Sequence, residues 1–224
     1  MGEYLPILKK SALFSGVDEA ELVAMLGCLS PKKAMFQKDE YILRVGEPAK
    51  GVGLLLQGSA LVIQEDFWGN RNIITALSPG EMFAEAFACA PGQELTVSVV
   101  AEQPGSALFL DIEKVMNTCS GACVFHKRMI RNFLAALAEK NLRINEKLGH
   151  MSKRSTREKL LSYLSAQAQR GGSAEFDIPF NRQQLADYLS VDRSAMSAEL
   201  GRLRDQGILR YDRSHFCLLA GEVL

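Results

Sequence analysis

Residues 181–207, NRQQLADYLSVDRSAMSAELGRLRDQG, gather the side chains with the most usable chemistry. Asn181 and Gln184 have capping-box spacing, and Leu185, Ala186 and Leu189 follow on one apolar face, which predicts a helix over 181–189. Ser190-Val191-Asp192 is a three-residue turn, with Val191 placed to plug the angle between two helices and Asp192 to cap the second. Met196, Leu200 and Leu203, at i, i+4 and i+7, turn that second helix inward. Arg193, Ser194, Ser197 and Ala198 are left projecting from its first turns, the part of a helix-turn-helix that enters the DNA major groove. Arg193 carries the fork that reads guanine O6 and N7, and the other three are short enough to approach base edges. Arg182, Arg202 and Arg204 are expected on phosphates. After Gly207, ILRYDRSHFCLL predicts a β-hairpin wing with Arg213, a fourth phosphate candidate, or His215 near its tip.

Other reactive types are sparse. His126, His150 and His215 are the only histidines, and none lies in the β-rich part of the chain, so no cupin-type metal cluster can be assembled. No Ser-His-Asp set, P-loop or dinucleotide fingerprint appears, and an enzyme is not expected. The cysteines, Cys28, Cys89, Cys119, Cys123 and Cys217, are odd in number and lack a C-x-x-C. They form neither a disulfide framework nor zinc spacing, and read as packed thiols in a reducing compartment. Cys119 and Cys123 share a helical face at i, i+4 and are the one candidate thiol pair.

These residues need a scaffold. The chain has 224 residues, 26 Lys+Arg against 26 Asp+Glu, 47% hydrophobic and 23% charged, ordinary globular usage. No stretch has the length and apolarity of a membrane span, and MGEYLPILKK lacks the order of a signal peptide, so a cytoplasmic location is expected. Residues 151–224 carry 11 Lys+Arg against 9 Asp+Glu, an excess too small to argue for DNA without the motif.

Residues 5–30 read as helical, with Asp18-Glu19-Ala20-Glu21 as an acidic first turn and Pro31 as a stop. From Lys33 to Asp111, short apolar runs separated by Gly, Pro, Asn or Asp predict a sandwich or barrel of about eight strands, with Gly58-Ser59 and Gly69-Asn70 as hairpin turns. A long helix follows over 120–150. Its seam, Ile130, Leu134, Leu137, Asn141, Ile144, Leu148 and Met151, keeps strict 4-3 spacing. A heptad seam with a lone Asn at an a position favours a parallel two-stranded coiled coil, hence a homodimer. Ser155 and Glu158 start another helix, closed by Gly171-Gly172, and EFDIPF reads as a short strand. The expected division is 1–119, 120–151 and 152–224.

This order resembles the Crp/Fnr family of bacterial regulators. The resemblance covers essentially the whole chain: LFSGVDEAELVAML, YILRVGEPAKGVGLLLQGSALV, LSPGEMFAEAFAC and, most specifically, IPFNRQQLADYLSVDRSAMSAELGRLRDQGIL. It implies an α+β protein with an N-terminal cyclic-nucleotide-binding-type β-roll (a jelly roll), a long dimerisation helix and a C-terminal winged helix-turn-helix. The implied function is that of a homodimeric transcription regulator that binds palindromic promoter DNA under an effector and contacts RNA polymerase. In relatives the position of Ala198 commonly holds Arg, so altered half-site specificity is implied. The cyclic AMP cassette resembles Gly-Glu-Leu followed about ten residues on by Arg-Ser; this chain has Ala84-Glu85-Ala86 and Leu95-Thr96. Glu85 is retained and could take a ribose hydroxyl. Leu95 offers no charge to a phosphate, so cyclic AMP is disfavoured and the effector is unidentified.

Glu85, Thr96, Phe83 and Leu95 are the candidate effector region, with Phe67, Trp68 and Phe87 as possible apolar lining. Leu142 and Arg143 are expected to face the β-roll and transmit the signal through a hinge near Gly149–Ser155. Iron–sulfur members cluster cysteines near the N-terminus, where Cys28 stands alone. Haem, bound by some relatives, stays open through His126 or His150. The alternatives are a haem- or thiol-based sensor of the same fold, and an effector module whose winged helix contacts protein.

Overall fold

The computed structural model describes residues 4–90, 92–116 and 124–219. It divides into two compact units, one of residues up to 69 with 74–141, the other of 70–73 with 142–224.

The first unit opens with α1 (Leu5–Lys10), a 3-10 turn (Ala12–Phe14) and α2 (Glu19–Leu29). Asp18 and Glu21 cap α2 reciprocally, and Ser30 ends it in a left-handed conformation just before Pro31. Eight strands follow: β1 (Lys32–Phe36), β2 (Tyr41–Leu43), β3 (Val52–Gln57), β4 (Ala60–Glu65), β5 (Arg71–Leu77), β6 (Met82–Phe83), β7 (Ser98–Ala101) and β8 (Gly105–Leu110). They form two antiparallel sheets ordered β1-β8-β3-β6 and β2-β7-β4-β5. The short helices α3 (Glu85–Ala88) and α4 (Ile112–Met116) interrupt and close this region before α5 (Val124–Met151).

Alternation along β3 explains the layering. Leu55 joins Phe83, Leu95, Val99, Ala107 and Phe109 in one apolar cluster. Leu54 and Leu56 join Leu108 and Leu110 in the other, packed with α2 and α5 through Leu22, Met25, Leu29, Met129, Phe133 and Ala136. A strand buried on both faces reads as a continuous apolar run, as VGLLLQ does. Of the two expected hairpin turns, Gly69 holds one, between β4 and β5. Gly58-Ser59 is a correction: β3 and β4 belong to different sheets, so this turn is a corner between sheets. Gly58, at φ +83°, passes so close to Pro104 that a Cβ would lie 2.7 Å from its carbonyl oxygen.

Helix α5 has two unlike sides. Met129, Phe133 and Ala136 are buried, and of the expected seam Leu137 packs against the same cluster and Ile130 is half-buried, whereas Leu134, Ile144 and Leu148 are 55%, 53% and 60% exposed. Leu142 and Arg143, expected to face the β-roll, are both exposed, Leu142 to 68%. The helical period puts Leu142 about 200° round from Lys140, on the opposite side from the buried residues.

In the second unit, α6 (Thr156–Gly171) starts at a Ser155–Glu158 capping box and stops at Gly172, φ +62°. After β9 (Glu175–Asp177) come α7 (Arg182–Leu189), α8 (Arg193–Asp205), β10 (Leu209–Asp212) and β11 (His215–Leu218), with sheet order β10-β11-β9. Leu160, Leu164, Leu185, Leu189, Met196, Leu200, Leu203 and Phe216 have essentially no exposed surface. The segment Gly149–Ser155, expected as a hinge, adjoins an α5 end that makes contacts within this unit. The end of α5 is pinned within this unit: Glu146 pairs with Arg170, His150 Nδ1 lies 2.8 Å from Ser162 Oγ, and the His150 ring meets Tyr163 edge-on. The division between the units falls inside α5, between Asn141 and Leu142.

Gly53→Ala tests the β-roll packing. A Cβ there would sit 2.2–2.6 Å from the buried Phe83 ring. The expected cost is about 1–3 kcal/mol in urea unfolding, partly recovered in the double variant with Phe83→Leu.

Candidate functional site

The helix pair over 182–205 sits where the spacing places it. Asn181 caps α7, accepting from Gln184 N at 3.0 Å while Gln184 Oε1 accepts from Asn181 N at 2.8 Å. Ser190 turns left-handed at φ +47°, Val191 is half-buried in the turn, and Asp192 Oδ1 accepts from Ala195 N at 2.8 Å to start α8. Met196, Leu200 and Leu203 are fully buried, and Arg193, Ser194, Ser197 and Ala198 are all exposed on the first turns. The Ser194 hydroxyl donates to Asp192 Oδ1 at 2.5 Å, so its hydrogen is committed and its lone pairs remain open. These hydrogen bonds, Ser194's first, hold the Asp192 carboxyl below the ordinary range.

The phosphate candidates differ from one another. Arg213 is exposed in the β10–β11 turn at φ +50°. Arg202 has a 69% exposed side chain while bonding Glu199 at 2.9 Å, and Arg204 bonds Asp205 at 3.1 Å. Arg182 is half-buried, its guanidinium 4.5 Å from the Tyr211 ring centroid and 5.2 Å from that of Phe216, so it braces the wing.

Sequence reasoning missed what holds α8. Glu199 is buried, and its carboxylate meets Arg157 of α6 at 3.1 Å and Arg202 at 2.9 Å, while Arg157 also bonds Gln206 at 2.8 Å. The Arg202 bond first, and Arg157 with it, keep the Glu199 carboxyl below its ordinary range. The i, i+3 spacing of Glu199 and Arg202 was a legible signal; the partner from α6, 42 residues away, was not. Lys147 was missed too. Its ammonium lies 4.5 Å from the Tyr188 ring centroid and 3.3 Å from Asn72 Oδ1, and burial pulls it down to about 8.

The candidate effector residues do not converge on one polar site. Phe83 and Leu95 are fully buried in the apolar cluster with Phe87 beside them, and Phe83 meets Phe109 edge-on at 5.7 Å. Thr96 is exposed. Phe67 and Trp68, expected as possible lining, are corrected to the exposed β4–β5 tip, at 94% and 82% exposure. Glu85 is buried, and its Oε1 pairs at 2.8 Å with Lys140 of α5, whose ammonium also donates to the Met82 carbonyl. Glu85 Oε2 is buried without a partner. Lys140 was missed although it continues the 133, 136, 140 spacing of the buried side.

His126 is buried to 2% exposure, and neither ring nitrogen has a hydrogen-bond partner. His150 is buried but bonded to Ser162, and burial foremost lowers its pKa. Cys28 and Cys89 are exposed and Cys217 half-buried, all free thiols; Cys119 and Cys123 lie outside the described residues. Burial and then the Glu85 charge push the Cys89 thiol up. Among the described residues no His/Cys/Asp/Glu group could hold a metal, and no helix is long and apolar enough to cross a membrane.

A β-roll followed by a long helix and a winged helix with an exposed recognition face defines a class, the two-domain DNA-binding transcription regulators. Residues 33–121 match the cyclic nucleotide-binding domain, and residues 158–224 match the Crp-like helix-turn-helix domain. The chain belongs to the Crp/Fnr family of transcription regulators. It is similar to the CRP-like cAMP-activated global transcriptional regulator of Mycobacterium tuberculosis, 20% identical over 211 residues, which span 92% of this chain and 91% of that one. Among solved structures it shares its fold with FixK2 of Bradyrhizobium japonicum (TM-score 0.64, 19% identity, 87% of this chain and 99% of that one). It also shares it with the c-di-GMP responsive global regulator CLP of Xanthomonas campestris (TM-score 0.69, 14% identity, 89% and 100%).

Glu199→Gln should lower the urea midpoint and flatten its acid limb. A carboxyl whose folded pKa is depressed contributes stability above its ordinary value and loses it as pH falls through the lowered one. The check is a set of urea midpoints from about pH 7 to pH 3, where wild type should fall further than the variant.

Proposed function

We propose that the chain acts as a homodimer that reads an inverted-repeat promoter site, with α8 of each protomer in the major groove. The observation that carries this reading is the seam of α5: Leu134, Ile144 and Leu148, spaced as a heptad and more than half exposed on a 28-residue helix. Because each is little more than half exposed, burying these side chains against a second copy is favourable by about 1–1.5 kcal/mol each. Asn141, between them and exposed, would set a parallel register at some cost in stability. Two parallel copies present two recognition helices, and a palindromic site needs those about 34 Å apart.

Arg193 is the guanine-reading side chain, and Ser197 and Ala198 line the same face. Ser194, its hydrogen already given to Asp192, would accept from a cytosine N4 or adenine N6 amino group. Arg202, Arg204 and Arg213 would contact phosphates, and RNA polymerase is the expected protein partner. For the effector, Leu95 buried in an apolar cluster weighs against a cyclic nucleotide phosphate at this position, and Glu85 Oε1, the ribose-hydroxyl candidate, is already held by Lys140. An effector that competes with Lys140 for Glu85 would loosen α5 from the β-roll. With the end of α5 held to α6, the pivot for such a change would lie N-terminal to Glu146.

A second reading has one observation in its favour. His126, buried with both ring nitrogens unpartnered, has the chemistry of an axial haem ligand. A Soret band in anaerobically purified protein that disappears in His126→Ala would establish it; a colourless protein would remove it.

Arg193→Ala should cost about 1–3 kcal/mol on a selected site and relax sequence choice at one base pair, as competition across site variants would report. Unchanged discrimination would refute the base-reading role. Leu148→Glu should convert a dimer to a monomer in sedimentation, and Asn141→Leu should raise thermal stability while loosening register or oligomer state. A wild-type monomer would refute the seam.

A further inference from the structure

The wing sheet has one greasy face and one charged face. Phe176, Phe216, Tyr211 and Leu209 turn inward, Phe216 and Leu209 fully buried. On the other face, register aligns Asp177, His215 and Asp212 across β9, β11 and β10, with Glu175, Cys217 and Arg210 in the parallel row. His215 stands between carboxylates. Its Nδ1 is 3.1 Å from Asp177 Oδ1 and its Nε2 is 2.9 Å from Glu175 Oε1. A neutral imidazole has one N–H and can donate to one of them only; an imidazolium donates to both. The geometry therefore selects the protonated ring. The hydrogen bond that His215 donates to Glu175 first, then the one it donates to Asp177, hold the His215 pKa above its ordinary value of 6.5.

We propose that this wing is a proton-dependent clamp, in which the His215 imidazolium masks Glu175 and Asp177 so that the wing can lie against the phosphate backbone. The inference rests on the DNA-binding reading. The ionisable groups facing His215 across the sheet are Glu175 and Asp177 on β9 and Asp212 and Arg210 on β10, with Arg213 in the adjoining turn. With the proton in place, three carboxylates are balanced by two guanidiniums and one imidazolium. Without it, the wing carries one net negative charge and exposes a carboxylate that had a partner. At physiological salt a charge acts on phosphates within about 8 Å, a range the width of a three-stranded sheet lies close to. Because the folded-state pKa is raised, the clamp is complete at acidic and near-neutral pH and is lost as pH rises through a midpoint above 6.5.

The test uses full-length protein and a labelled mixed-sequence duplex of about 30 base pairs at low salt, so that no operator need be known. Affinity is followed from pH 6 to pH 8.5 for wild type, His215→Gln and His215→Arg. In parallel, the imidazole protons of the three histidines are titrated by NMR, with the His215 resonance assigned from the His215→Gln spectrum. Wild-type affinity should fall about two- to ten-fold across the range, with a salt slope shallower by about one at the alkaline end. The Gln variant should bind weakly with a flatter profile, and the Arg variant, charged throughout, should bind tightly at every pH. Superimposable profiles for wild type and His215→Gln would overturn the proposal, as would a His215 midpoint at or below 6.5. If no form binds duplex at any pH, the DNA-binding reading has failed; the NMR midpoint then still decides whether the ring is held as imidazolium.

Discussion

Helix α5 has to satisfy two surfaces at once. At 3.6 residues per turn, Met129, Phe133, Ala136 and Lys140 line one side, and they are spent on the β-roll: three in its apolar cluster, the fourth on Glu85 and the Met82 carbonyl. Leu134, Ile144 and Leu148 fall elsewhere on the same helix and remain more than half exposed. The polar seat for Lys140 exists because β6 ends at Phe83 and Ala84 turns left-handed, which carries Glu85 into the interior. Further along, Glu146 and His150 fasten the same helix to α6. A single continuous helix thus takes its inner contacts from two units and leaves Leu134, Ile144 and Leu148 exposed, the seam proposed for a second copy.

The winged helix is organised by a different economy, in which polar groups position and apolar groups only fill. Capping by Ser155, Asn181 and Asp192 fixes where three helices begin, and the Glu199–Arg157 pair ties α8 to α6. The recognition face itself is left with short side chains and Arg193. In the proposed reading, Ala198 offers a base no hydrogen bond, only contact with a thymine methyl. Arg182, spent on Tyr211 and Phe216, stiffens the wing that carries His215 and Arg213.

Local signals in the sequence were reliable. Capping boxes, the Gly171-Gly172 stop of α6, the i, i+4, i+7 core of α8 and the β10–β11 hairpin follow from residues a few positions apart. Non-local partners were not visible. The pairing of Glu85 with Lys140 joins residues 55 apart, and nothing in either neighbourhood specifies it. The exposure of Phe67 and Trp68 ran against their composition, because a two-residue aromatic tip on a hairpin has no layer above it to bury into. Gly58-Ser59 read as a hairpin because turn chemistry is blind to which sheet the next strand joins. Leu142 was expected to face the β-roll, but the period allots it to the side away from Met129, Phe133 and Ala136, and it is exposed.

The claim on which the account turns is that two copies of this chain read DNA together. Selection of duplexes from a random pool by the full-length protein, followed by sequencing of the enriched population, tests it most directly. The account predicts an inverted repeat whose half-site centres lie one helical turn apart, about 10–10.5 base pairs. Enrichment of a lone half-site or a direct repeat, or no enrichment at all, would contradict it.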